Sequence, residues 1–149
     1  MTAPQYGQLP ASQRRLLDLF YRQHGSRMRV SGEAEPWVAR VGEIVAGVSL
    51  TPVSGGHWLT GLFVAPGWRG QGVAAELVES ALGATLGATW LFCHPDLTTF
   101  YQRLAFNPAD TLPENLAMRL ARYQRSKRLI ALVRGQSSVA SNPGNSTSV

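Results

Sequence analysis

The segment that most restricts how this chain folds is a cluster of small residues between two apolar stretches. Residues 57–64 (HWLTGLFV) carry apolar side chains on both faces of an extended strand, Trp58, Leu62 and Val64 on one and Leu59 and Phe63 on the other. Pro66-Gly67 ends that strand. From about Gln71 to Leu82 the spacing of Leu77, Val78, Ala81 and Leu82 predicts a helix, with Glu76 and Glu79 outward and early, where the helix dipole favours acids. Between strand and helix lies Trp68-Arg69-Gly70-Gln71-Gly72-Val73-Ala74. A turn of this kind leaves backbone amides free at a helix N-terminus, and with the positive end of the helix dipole they form an anion site. Gly70, Gly72 and Ala74 let a phosphate approach the backbone without a side-chain clash, and Arg69 adds a charged donor. The implied ligand is a phosphate ester, foremost a pyrophosphate.

Two nucleotide-binding motifs fail to fit. A P-loop needs Gly-x-x-x-x-Gly-Lys-Ser/Thr, which is absent. Gly70-x-Gly72-x-x-Ala75 matches the loose dinucleotide fingerprint, but several residues separate the strand from the first glycine and the preceding strands read as antiparallel.

The rest of the chain supplies the context. A short strand is expected over Tyr6–Leu9. A helix is expected from Ser12, as N-cap, to His24, with Leu16, Leu17, Phe20 and Tyr21 on one face and Gly25 as the stop. Trp37–Arg40 and Glu43–Leu50 read as a hairpin about Gly42. A buried strand spans Thr89–Cys93, and a short helix follows over Leu97–Leu104 with Asp96 as its N-cap. Leu116, Met118 and Leu120 alternate with Ala117, Arg119 and Ala121, which predicts a last strand there; residues 123–134 read as a final helix, although their apolar positions form no clean stripe. Residues 136–149 have a tail's composition. The order is α+β: a mainly antiparallel sheet with one parallel crossover, between strands 57–64 and 89–93.

Size and charge narrow the class. At 149 residues the chain is one domain able to bury its own core. Net charge is +5, yet all nine acids and eight of the 14 bases lie in residues 1–114, so the body is near neutral and the excess sits in 115–149. That distribution makes nucleic acid an unlikely partner, and the basic stretch 119–134 reads as a solvated end element. One cysteine, Cys93, allows no internal disulfide, and no Cys/His spacing resembles a metal site. No leader or membrane-spanning run is evident. The expectation is a cytoplasmic protein without metal or membrane attachment, with homodimerisation open.

The glycine-rich segment, Leu62-Phe63-Val64, Pro66, then Arg69-Gly70-Gln71-Gly72-Val73-Ala74, resembles the acyl-CoA signature of the GNAT superfamily of N-acyltransferases. A second resemblance follows in the expected order: Phe100-Tyr101-Gln102-Arg103-Leu104-Ala105-Phe106, with Ala105 where the family has Gly. The resemblance covers roughly residues 6–121 and implies a GNAT-like mixed sheet, flanked by helices, whose central parallel strands splay apart. One such domain is expected over 1–134, with a disordered tail over 135–149. It implies acetyl-CoA as cosubstrate, its pantetheine arm on the backbone of Leu62, Phe63 and Val64, and its pyrophosphate on Arg69 to Ala74. The acceptor would be an amine of a small molecule or peptide, attacking the thioester directly in a ternary complex. Tyr101 matches the family's general acid for the leaving thiolate. His94 stands where many members carry Asn, either as a contact to the pantetheine arm or as a base.

Plainer readings stand beside these. Tyr101 also reads as a core aromatic, His94 as a capping residue before Pro95-Asp96, Cys93 as an inert buried thiol and His57 as a polar strand start. Trp68 reads as covering the phosphate turn or rimming the cleft. The alternative functions are a non-catalytic acyl-CoA-binding or sensor module, and a nucleic-acid-associated protein acting through the basic end. The loops around 25–36 and 107–115 would shape the acceptor pocket, and their charges of both signs single out no acceptor.

Overall fold

The computed structural model describes residues 3–135. Its strands are β1 (Gln5–Gln8), β2 (Glu35–Val41), β3 (Glu43–Val53), β4 (Gly56–Val64), β5 (Ala88–Cys93), β6 (Asn107–Pro108) and β7 (Ile130–Arg134). Its α-helices are α1 (Arg14–Gln23), α2 (Val73–Gly83), α3 (Thr98–Gln102) and α4 (Glu114–Tyr123). The strands hydrogen-bond in the order β1-β2-β3-β4-β5-β7-β6. β4 and β5 run parallel, while the β1–β2, β2–β3, β5–β7 and β6–β7 pairs are antiparallel. This is the α+β class expected. The residues group into two compact units, Met1–Pro52 with Leu59–Thr85, and Val53–Trp58 with Leu86 onward.

In the first unit, α1 buries Leu17, Phe20 and Tyr21, the face its periodicity predicts. They pack with Leu9, Val38 and Ala65, and with the half-buried Val30, Ile44, Phe63 and Trp68. Burying a leucine such as Leu17 stabilises the fold by roughly 2 kcal/mol. Gly47 of β3 is where that leucine seats, because a Cβ there would collide with the Leu17 side chain. Trp68 therefore belongs to the core beside the glycine-rich turn. Helix α1 begins later than the sequence suggests: Ser12 lies inside a 3-10 turn (Ala11–Gln13), and Gln13 is the N-cap, without a side-chain cap bond. Pro10 sets that turn, its carbonyl accepting from Gln13 N at 2.8 Å. α2 buries Val73, Leu77, Val78, Ala81 and Leu82, as its spacing predicts.

The second unit holds a correction. The strand expected at 116–121 is helix α4, and the helix expected at 123–134 contains strand β7. Alternation specifies a strand only when one face is buried. Here Leu116 is buried but Met118 is 65% exposed. The α4 sequence ENLAMRLARY has no β-branched residue and an acid in its first turn. Leu116 packs on Ala88 and Trp90 of β5. Residues 130–134 (IALVR) pair along all of Thr89–Cys93, and this long-range pairing decides their state. β6 is a two-residue strand opposite Leu132 and Val133, too short to be visible in sequence. The parallel β4–β5 ladder joins Gly56–Trp58 to Ala88–Trp90, although β4 continues to Val64 and β5 to Cys93. The tail expected over 135–149 lies, apart from Gly135, outside the described residues.

Candidate functional site

The glycine-rich turn is built in three steps. Ala65 N donates to Val45 O at 2.8 Å, tying the end of β4 to β3. Pro66–Trp68 form one 3-10 turn. Gly70 (φ +76°) and Gly72 (φ +79°) then take left-handed conformations, and Gly72 is the N-cap of α2. Side chains rarely adopt that backbone region, which accounts for both glycines. Nothing stands within 4 Å of where either Cβ would be, so the space over the turn is open. The first amide to bond back is Glu76 N, to Gly72 O at 3.1 Å. Among the described residues the amides of Gly70, Gln71, Gly72, Val73, Ala74 and Ala75 have no partner. Six consecutive donors at the positive end of a helix can bind a pyrophosphate.

Arg69 is positioned by the strand it follows. Its Nε donates to Val64 O at 2.8 Å, and its guanidinium lies 5.1 Å over the Phe63 ring. One of five donors is thus committed and the others remain for an anion. Gln71 Nε2 donates to Gly67 O at 3.2 Å and braces the turn. Leu62, Phe63 and Val64 are half-buried, and Leu59 is the one fully buried residue of β4.

Two residues here escaped the sequence reading. Gly61 sits inside β4 with φ +72°, which breaks the regular extended path. Its carbonyl accepts from the Tyr21 hydroxyl at 2.7 Å, and a Cβ on Gly61 would come within 2.8 Å of that oxygen. The signal was a lone glycine in an apolar strand, which marks a kink or close approach. Tyr21 is fully buried. Burial, and secondarily the Asp18 charge, push its hydroxyl well above the usual range, so it stays a donor.

The second unit carries Tyr101 and His94. Tyr101 lies in α3 and is 7% exposed, edge-on to Phe100 and Phe106 with ring centroids 4.9 and 5.7 Å away. Its hydroxyl has no hydrogen-bond partner among the described residues. Desolvation, then the neighbouring Cys93, push its pKa up to about 12. α3 ends in a Schellman turn, with Phe106 N donating to Tyr101 O at 3.1 Å and Ala105 N to Gln102 O at 3.0 Å. Ala105 holds the left-handed position of that turn at φ 70°, the one non-glycine residue with positive φ among the described residues.

His94 caps the next turn. Its Nδ1 accepts from Asp96 N at 3.1 Å and lies 3.4 Å from Asp96 Oδ2. The neutral tautomer compatible with that bond carries its proton on Nε2. Asp96 lies inside the 3-10 turn Pro95–Leu97, and Leu97, rather than Asp96, is the N-cap of α3. Cys93 is buried and its thiol pKa raised by burial, as an inert thiol requires. His57 Nδ1 and the Trp58 and Trp90 indole nitrogens are buried without partners. In the basic segment Arg119 lies 4.9 Å over the Trp58 ring, while Arg122 and Lys127 lie 5.7 and 5.6 Å over Tyr123. These aromatic faces are covered by the chain's own cations. No metal-holding group and no helix long and apolar enough to cross a membrane occur among the described residues.

Comparison with known proteins adds one family and many solved structures of like fold. A family model described as an acetyltransferase (GNAT) domain matches residues 32–108. No curated protein matches by sequence. Among solved structures, an acyl-CoA N-acyltransferase from Pseudomonas aeruginosa is 17% identical with a TM-score of 0.63, over 89% of this chain and 100% of its own. Arabidopsis thaliana Naa50, solved with the bisubstrate analogue CoA-Ac-MVNAL, is 13% identical with a TM-score of 0.64, over 90% and 99%. The Escherichia coli N-acetyltransferase YhbS, solved with CoA, is 17% identical with a TM-score of 0.63, over 90% and 82%. At these identities the structural likeness establishes the fold.

Proposed function

The chain belongs to the GNAT acetyltransferase family, and from that premise we propose that it transfers the acetyl group of acetyl-CoA to a primary amine of a small molecule or peptide. The observation that carries this reading is the run of unpartnered amides over Gly70–Ala75, opened by two left-handed glycines at the start of α2. They and the free donors of Arg69 bind the pyrophosphate. The pantetheine arm lies along the backbone of Leu62, Phe63 and Val64, by strand-like main-chain hydrogen bonds. The CoA-bound neighbours support the choice of ligand.

The chemistry is a direct displacement. The neutral amine nitrogen attacks the thioester carbonyl, the carbonyl π electrons move onto oxygen, and their return expels the thiolate. A backbone N–H at Phe63 or Val64 stabilises the oxyanion. Tyr101 gives its proton to the leaving sulfur and takes one back from water, so the proton shed by the amine balances the one gained by the thiol. Its pKa of about 12 keeps that proton in place at every physiological pH, and with no hydrogen-bond partner among the described residues the hydroxyl is available for donation. The amine's proton passes to water. His94 has its Nδ1 lone pair committed to Asp96 N, so its available contribution is an Nε2–H donor to the pantetheine arm.

That commitment favours a second reading, a module that binds acyl-CoA without transferring the acyl group, because it leaves the site short of a side-chain base. Two measurements separate them. Acetyl-CoA should raise the melting temperature in either case; thiol release with a panel of amines occurs only in the first. Absence of any acetyl-CoA shift would overturn both.

A further inference from the structure

Two of the arginines in and around α1 have structural work. Arg14 donates to Ser31 O and, at 3.2 Å, to Ala34 O; Arg40 reaches Gln13 Oε1 at 3.3 Å. Arg22, Arg27 and Arg29 differ. All three are exposed, none of their side chains has a hydrogen bond or ion pair among the described residues, and all three line one cavity of about 370 Å³ with Asp18, Ser26 and Met28. A place in the last turn of α1 suits Arg22 to the helix dipole, but that explains neither Arg27 nor Arg29.

The loop carrying them is held by its own backbone. Gly25 turns at φ +70°. Ser26 N donates to Tyr21 O at 2.9 Å, Met28 N to Ser26 Oγ at 3.1 Å and Val30 N to Asp18 Oδ1 at 2.8 Å. The loop's ordering is therefore complete without the guanidinium groups, which are presented to the cavity as unused donors. Three positive charges face one carboxylate there, and that carboxylate is already accepting a backbone bond. Planar guanidinium pairs suit carboxylate and phosphate oxygens. The same helix turn that supplies Arg22 also bonds β4 through Tyr21 and Gly61, and Phe20 and His24 contact Phe63, with ring centroids 5.8 and 6.0 Å away. α1 thus joins the cavity to the strand end assigned to the acyl-CoA.

We propose that the acceptor is an acidic amine, whose carboxylate or phosphate docks on Arg22, Arg27 and Arg29. This rests on the acetyl-transfer reading for its purpose, but its binding test does not depend on turnover. Matched probes are γ-aminobutyrate against n-butylamine and O-phosphoethanolamine against ethanolamine, in thermal shift on the full chain with CoA present. At least one acidic member should raise the melting temperature while its neutral counterpart does not, and the pair that responds tells carboxylate from phosphate. The triple variant R22Q/R27Q/R29Q should lose that shift and keep the shift caused by acetyl-CoA. If the triple variant loses both, the single variants R27Q and R29Q decide, each weakening the acidic probe about tenfold. In thiol release, kcat/KM should favour acidic over neutral amines by about tenfold or more in the wild type, and the ratio should fall toward one in the variants. No shift with either acidic probe, or a shift the variants retain, overturns the proposal. Absence of thiol release with an intact acidic-probe shift would overturn acetyl transfer and leave the cavity assignment standing.

Discussion

Tyr101 and Ala105, one helical turn apart, show what single residues do here. The Tyr101 hydroxyl has no partner to lose among the described residues, so Tyr101→Phe should leave the melting temperature and the acetyl-CoA shift nearly unchanged while lowering kcat by about 10²–10⁴-fold. Single-turnover thiol release measures this, and an unchanged rate would clear Tyr101 of the acid role. Its raised pKa has a second consequence. Below pH ~10 the tyrosine is protonated in both states. As pH rises toward about 12, the unfolded chain loses the proton first, so unfolding gains about 1.4 kcal/mol per pH unit from this group. Urea midpoints should therefore fall between pH 9.5 and 11.5, and less so in Tyr101→Phe. Ala105 carries a positive φ of 70° at a position where the motif has glycine, and that departure is the sequence's one sign of the strain. Ala105→Gly should raise stability by about 1 kcal/mol, read as a higher urea midpoint with unchanged slope.

Among the elements, the turn from β4 into α2 was the most legible. Its chemistry depends on local order alone: a strand end, glycines and a helix start, each with a strong residue signature. Gly70→Ala and Gly72→Ala meet no neighbour in the free protein, so each should cost about 1 kcal/mol of stability through the left-handed backbone. A larger loss in CoA affinity, by isothermal titration, would mark the close approach of phosphate to the backbone. Affinity loss no greater than stability loss would remove the cradle. The kink at Gly61 was half legible: the glycine marks it, but its partner Tyr21 is 40 residues away, a distance no local pattern spans. His94 was legible as a cap because Pro95 and Asp96 follow it directly, and its bond to Asp96 N at 3.1 Å is a neighbour's bond.

For the whole molecule, the basic end of the chain is the instructive case. As sequence it reads as a solvated appendage. In the fold, β7 pairs with β5 along Thr89–Cys93 and with β6 at Asn107–Pro108. A chain ended at Tyr123 should therefore lose cooperative unfolding by circular dichroism, and a sharp transition in it would refute this account of the second unit. Sequence alone was enough for the class of fold, the glycine-rich turn before α2, the family resemblance and the candidate acid, because each depends on a motif read within a dozen residues. The folded chain was needed to tell which of the last two segments is strand and which is helix, where β4 kinks, and that three idle arginines share one cavity. The reason is physical. Strand pairing, burial and charge convergence are set by residues far apart in the chain, and helix propensity or alternation over a few positions is too weak to overrule them.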